Sequence, residues 1–444
     1  MNVAAVADLK TVLSQPTPPP PPATLDETGL HPDTLAQLLL KTLVGGEASG
    51  TVLAEKLRLP YSVLEALIQH GRVEKLLEVR GTSGAGSAGY RYVLTDLGRE
   101  RAQQFFDLSR YVGPAPVPLA HYNTYVRACM AAKPYLNRDR LSGGFGNLVV
   151  SKGMFDQLGP AVNSGKSLFL YGAPGNGKTV LAEGIGRAYG DEMYMPFALD
   201  VDGQTITMYD PVSHQIVGSD RATGDSVVTN AAHDRRWANI VRPVVVVGGE
   251  LTLEMLDLTF NPIARFYEAP IQVKANGGVF VVDDFGRQRI PARDLLNRWI
   301  VPLESRVDYL TLHTGRKFEV PFNVLVVFAT NLKPESLADE AFLRRIPYKI
   351  LAKNPTMDEY CQIFELNCKK RGIRFDPVMV EYLDRKYYQP RKLQMRACHP
   401  RDLIEQVVDR CRYEDREMAI TRELLDAACA SYFIEESASQ GNER

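Results

Sequence analysis

Ser167-Leu168-Phe169-Leu170-Tyr171, then Gly172-Ala173-Pro174-Gly175-Asn176-Gly177-Lys178-Thr179, then Val180-Leu181-Ala182-Glu183-Gly184-Ile185, is the stretch that decides the fold. The first five residues form a short apolar run that fits a buried parallel strand. The last six open a helical pattern in which Val180, Leu181, Ile185 and Ala188 are apolar. Between them lies the pattern G-x-x-x-x-G-K-[ST] in the strand–loop–helix setting it requires. Glycines at 172, 175 and 177 let the backbone turn with its N–H groups pointing inward, and the following helix adds its positive end, so the loop is an anion cradle.

Reading outward, Gly278-Val279-Phe280-Val281-Val282-Asp283-Asp284-Phe285 is a second buried strand that ends in two acids. Open α/β sheets place their sites at that end of their strands. A third apolar run, Asn323 to Ala329, ends in Thr330-Asn331. Further on, DEAFLRRIPYKI supplies Arg344 and Arg345, and HPRDLIEQV opens a late helix with Arg401.

In this order the chain resembles the AAA+ ATPases, over roughly residues 148–433. The resemblance implies an α/β fold: a P-loop parallel-sheet core with a C-terminal helical lid. It implies ATP and Mg2+ as cofactors and ATP hydrolysis as the activity. ATP would lie on Gly172, Ala173, Pro174, Gly175, Asn176, Gly177, Lys178, Thr179 and Val180. Lys178 would reach the β- and γ-phosphates, with Thr179 and Asp283 holding the metal. Asp284 would polarise the attacking water and Asn331 would hold it. Arg345, or else Arg344, would reach a neighbouring subunit's site, and Arg401 would contact the γ-phosphate from the lid. Arginine suits both tasks because its charge is fixed and its fork planar. The same resemblance implies a homo-oligomeric ring, a hexamer. The chain departs from the family in one place: the second acid is usually Glu and here is Asp284, one methylene shorter, so slow hydrolysis is expected.

About ninety residues separate the loop helix from the acid strand, long for one strand and one helix. FYEAPIQVKANGGVFVVDDFG resembles the corresponding run of enhancer-binding activators and magnesium-chelatase-like ATPases. PLESRVDYLTLHTGRKFEVPFNVLVVFATN resembles a hairpin that lines the ring pore in those groups; the plain alternative is a surface hairpin.

Upstream, residues 31–112 read as a small α+β domain. Asp33 is placed to cap a first helix bearing Leu35, Leu38, Leu39 and Leu43. A short helix covers Thr51 to Leu57, and Pro60 opens a third. Strands Leu76 to Arg80 and Tyr90 to Thr95 flank a Gly-rich loop, and Asp96 starts a closing helix. That order, with YRYVLTDLGRERA, resembles winged-helix proteins, whose third helix usually enters DNA. Here that helix offers Arg72 and Lys75 but also Glu65 and Glu74, which favours protein contact or positioning over DNA. Residues 1–30 are expected to be a disordered Pro-rich arm, 113–147 a linker, 148–354 the ATPase core, 355–436 the lid and 437–444 a disordered tail.

Composition is that of a globular chain: 444 residues, 45% hydrophobic, 24% charged, formal net charge −1. There is no global electrostatic case for nucleic acid or an anionic membrane. Six scattered cysteines form no CxxC pair and fit reduced, mostly buried thiols. No apolar run reaches the ~20 residues of a membrane span. A cytoplasmic protein with an unidentified protein partner is the expectation, and DNA is the less favoured partner. A small-molecule kinase is the third reading, opposed by the lid and the sensor positions.

Overall fold

The computed structural model describes residues 17–82, 84, 86–132, 135–146, 148–218, 233–337 and 339–433. The expected tail at 437–444 and the first sixteen residues of the expected arm lie outside them. The fold is mixed α/β with parallel strands and a helical C-terminal region, and it divides into two compact units. Their boundaries do not follow the order of the expected domains. The first unit takes Met1–Tyr135, Tyr189–Val282 and Arg287–Val326; the second takes Leu136–Ala188, Asp283–Gly286 and Val327–Arg444.

In the first unit, helices Pro32–Leu43, Gly50–Leu57 and Tyr61–Val73 precede strands Leu77–Thr82 and Tyr90–Leu94 and a closing helix, Asp96–Leu108. The sequence reading lacked a two-residue strand, Ala48–Ser49, which pairs with Tyr92 and Arg91. It completes a three-stranded antiparallel sheet with Tyr90–Leu94 in the middle. The first helix is capped by His31, whose Nδ1 accepts from the Asp33 N–H at 3.3 Å, and not by Asp33.

The described part of the proline-rich arm is held in place. Pro19 O accepts from the Asp234 N–H at 2.7 Å, and Pro22 is buried. Nearby, buried Arg236 donates to both Asp234 carboxylate oxygens and to the carbonyls of Thr28 and Pro116. One guanidinium therefore ties together segments that are far apart in sequence. Within residues 17–30, the carbonyls of Pro19 and Thr28 are the acceptors in these contacts.

The long insertion builds a five-stranded sheet in the order Thr259–Asn261, Phe266–Glu268, Gln204–Thr207, Ala198–Val201, Val117–Pro118. Its edge strand comes from the expected linker. The hairpin Val307–Thr311 and Lys317–Pro321 lies on this core through buried Leu310, Leu312, Phe318 and Val320. Its tip is pinned: His313 stacks on Phe260 at 4.3 Å and bonds Tyr267, while Arg316 pairs with Asp202 at 2.8 Å. The hairpin is thus packed against its own unit along its length. Strands Val244–Val247 and Val279–Val282 of the same unit run parallel in register.

In the second unit, Leu168–Tyr171 is flanked by Leu325–Thr330 and Tyr348–Leu351, both parallel to it. The first two are almost wholly buried, which explains their continuous apolar sequence. Phe145 of the expected linker is buried beside Gly184 of the loop helix, where a side chain at 184 would collide with its ring. The lid is helical: Met357–Lys370, Pro377–Leu383, His399–Tyr413 and Arg422–Tyr432 enclose one apolar core.

Candidate functional site

Every residue expected to act in the site belongs to the second unit. Strand Leu168–Tyr171 delivers the loop, and helix Lys178–Tyr189 begins at its lysine. Gly172 has φ +143° and lies under the Ala352 carbonyl, so a Cβ there would sit 2.5 Å from that oxygen. Gly177 has φ +69° and nothing within 4 Å of its Cβ position. A ligand can therefore approach the backbone at Gly177 while the loop is held at Gly172.

Lys178 is 7% exposed. Its Nζ donates to Gly172 O and Ala173 O, both at 3.1 Å, and to Asn331 Oδ1 at 2.5 Å. Burial pulls its pKa below the ordinary lysine value, opposed by Asp283 and Asp284, while Arg396 adds to the lowering. All three acceptors are neutral, so an anion brought to this ammonium gains more than it displaces.

Strand Leu325–Thr330 explains how Asn331 reaches two partners. It lies beside the loop strand, and Ala329 O accepts from the Phe285 N–H at 2.8 Å. Its end thus falls between the loop and the acids. Asn331 Nδ2 donates to Asp284 Oδ1 at 3.1 Å while Oδ1 accepts from Lys178. Asp284 is exposed, in a left-handed conformation with φ +48° that a non-glycine residue adopts at a cost. Its N–H donates to Asp283 Oδ1 at 3.0 Å. Thr179 Oγ1 donates to Asp283 Oδ2 at 2.6 Å.

A hydroxyl and a carboxylate side by side next to a phosphate cradle are hard oxygen donors that fit Mg2+, which is held by one or two carboxylates together with substrate phosphates. Among the described residues no cluster of three or more His, Cys, Asp or Glu could hold a metal unaided.

Other expected site residues have different placements. Asn176 is buried and turned to the scaffold. Its Nδ2 donates to Ala352 O at 3.2 Å and Asn354 Oδ1 at 2.7 Å, and its Oδ1 accepts from the Ala397 N–H at 3.4 Å. Pro174 within the loop and Val180 in the first turn of the helix are exposed. Arg344 is exposed and Arg345 is half-buried with interactions of its own, both in the turn after helix Glu340–Leu343. Arg401 is paired with its neighbour Asp402 at 2.8 Å.

Sequence reasoning missed Arg396. Its Cδ lies 3.7 Å from the Cβ position of Gly175, and it is the lid arginine that acts electrostatically on Lys178. Among the described residues its guanidinium makes no hydrogen bond or ion pair. The adjoining Cys398 donates its N–H to Gly175 O at 2.9 Å. Its sulfur leaves no room for a side chain at 175. No motif marks this position; the turn that carries Arg396 onto the loop is a tertiary feature.

A family model described as Domain of unknown function (DUF8689) matches residues 356–431, the lid. No curated protein matches the chain. Among solved structures, NtrX from Brucella abortus is similar at a TM-score of 0.41 and 15% identity, covering 69% of this chain and 60% of that one. NtrX in complex with ATP gives 0.40 and 15%, over 72% of this chain and 64% of that one. The RuvB Holliday junction branch migration motor of Thermotoga maritima gives 0.34 and 14%, over 66% and 69%. The chain thus spans about 60% of the length of the NtrX chain it matches.

Proposed function

We propose that the chain is a Mg-ATP-dependent AAA+ ATPase that works as a ring, a hexamer, and remodels a protein or protein complex. One observation carries the ATPase part of this reading: a single amide, Asn331, joins the buried loop lysine to the exposed acid Asp284, beside the Thr179–Asp283 pair. A phosphate cradle, a metal-binding oxygen pair and an acid able to orient water meet within one unit. Nothing in an ordinary structural turn calls for that combination.

In this mechanism the loop amides and Lys178 bind the phosphates, with Thr179 and Asp283 placed to hold Mg2+. When bound, the metal neutralises charge on the β- and γ-oxygens. Asp284 and Asn331 orient the attacking water, and Asp284 accepts hydrogen bonds from it. Arg396 meets the phosphate chain from the lid in place of Arg401, which is already paired with Asp402. Of the two finger candidates, Arg344 is the exposed one, so it and not Arg345 is proposed to enter the neighbouring site.

The test is a nucleotide titration with phosphate-release kinetics on the full chain. Asp284→Asn should bind ATP and release no phosphate above a small residue; unaltered turnover would remove Asp284 from the mechanism. Mixing Arg344→Ala with Lys178→Ala protomers should restore part of the activity if the finger acts in trans, and no recovery at any ratio would argue against it.

A DNA-directed ATPase is the second reading, favoured by the topology at the N-terminal end of the first unit. Helix, short strand, two helices and a strand pair, with the last strand central, supports the winged-helix reading.

A further inference from the structure

The segment Arg287-Gln288-Arg289-Ile290-Pro291-Ala292-Arg293 follows the two acids in the chain and carries three cations before its first acid, Asp294. Its backbone is anchored. The Arg289 N–H donates to Gly249 O at 3.2 Å, Ile290 within the segment is buried, and so are Leu295, Leu296 and Trp299 just after it. Arg287, Arg289 and Arg293 are all exposed. None of their three guanidinium groups has a hydrogen bond or ion pair among the described residues.

Arg298, on the helix Ala292–Arg298 that follows, shows the contrast. Its guanidinium is bonded to Asp308 at 2.7 Å and also reaches Asp257 and Leu256 O. Glu250, next to the anchoring carbonyl, does not serve the three either; its carboxylate accepts from the Gly248 N–H at 2.9 Å. One arginine of four is thus used by the fold, and three remain on a fixed ledge.

We infer that Arg287, Arg289 and Arg293 form a docking ledge for the phosphate backbone of a nucleic acid. Three guanidinium forks on one anchored segment match a repeating polyanion, because each fork can take two phosphate oxygens and each phosphate neutralised releases counterions. The net charge of −1 excludes a general attraction, so binding would be confined to this ledge. The third helix of the first unit is a poorer candidate, since its cations alternate with acids. The inference goes beyond the ATPase reading and stands on separate residues.

The experiment uses the full chain and fluorescently labelled single-stranded and duplex DNA, with anisotropy read across a salt series. Wild type should bind at low salt and weaken as salt rises. The triple variant Arg287→Ala, Arg289→Ala, Arg293→Ala should bind at least about tenfold more weakly, with the salt slope on duplex reduced by about 0.9 for each phosphate no longer neutralised. The triple lysine variant should keep most of the salt-dependent affinity. An unchanged ATP titration for the alanine variant shows that it is folded. Absence of binding at low salt, an alanine variant that binds like wild type, or equal capture of polyglutamate would each overturn the inference. Failure of wild type to bind ATP would sink the ATPase reading alone.

Discussion

Two buried cations, one in each unit, show how a charge satisfied by the fold differs from one proposed to bind a ligand. Arg236 is 2% exposed and has a fixed counter-ion, Asp234, with two carbonyls completing its fork. Lys178 is 7% exposed and rests on two carbonyls and an amide, with no carboxylate among its hydrogen-bond acceptors. The first site is complete within the fold. The second is held by weaker, neutral acceptors that a phosphate can displace. Burial depresses the lysine's pKa, so the fold bears the cost of keeping a cation at the place where the proposed function puts an anion.

The sharpest way to break this comparison is to remove each cation. Lys178→Ala should lose detectable ATP binding by calorimetry while its melting temperature stays close to wild type. Arg236→Ala should do the reverse. Denaturant unfolding should show a destabilisation of about 3–5 kcal/mol, because Asp234 is left buried and unpaired, whereas the folded fraction keeps its ATP affinity. If Lys178→Ala unfolds the chain, the lysine is structural and the contrast fails.

The lid gives a smaller test, through pH. His399 is buried against Tyr388, and burial together with Arg396 lowers its pKa from 6.5 to about 4, against the pull of Asp402. The unfolded chain takes up a proton between those values that the folded lid does not. Stability should therefore fall as pH drops from 6.5 towards 4, with the effect complete below that. His399→Asn should flatten this limb in a thermal-melt series; an unchanged slope would mean that other groups carry it.

The smallest effect belongs to Asn176. Removing its bonds to Ala352 and Asn354 should cost about 1–2 kcal/mol and loosen ATP binding only modestly, since its side chain faces the scaffold. An effect on ATP binding as large as that of Lys178→Ala would show instead that the amide touches nucleotide.

Much of the site was legible because it depends on short local patterns. Strand, glycine loop, lysine and helix stand consecutively in sequence, and so do Val279–Val282 and the acids after it. Leu325–Thr330 was readable as a buried strand, and Asn331 as its polar end. What escaped depends on pairings between distant segments. Ala48–Ser49 is too short to show a period, and Val117–Pro118 becomes a strand only by lying beside Leu199 and Asp200. Arg396 falls in an irregular turn, where no spacing rule applies. Arg401 carries the more suggestive local pattern and is paired with its acidic neighbour Asp402.

The proline run likewise involves a pairing between distant segments. Proline lacks an N–H but keeps its carbonyl, and Pro19 uses that carbonyl to accept from Asp234. Composition alone gives an extended segment; whether it docks depends on a donor more than two hundred residues away.

The measurement that tests the central claim most directly is phosphate release from Mg-ATP by the wild-type chain beside Asp284→Asn. The account predicts slow but measurable release by wild type and, for the variant, retained ATP binding with turnover lowered by about 10²–10⁴-fold. Equal release by both proteins, or none by wild type under conditions in which it binds ATP, would contradict it.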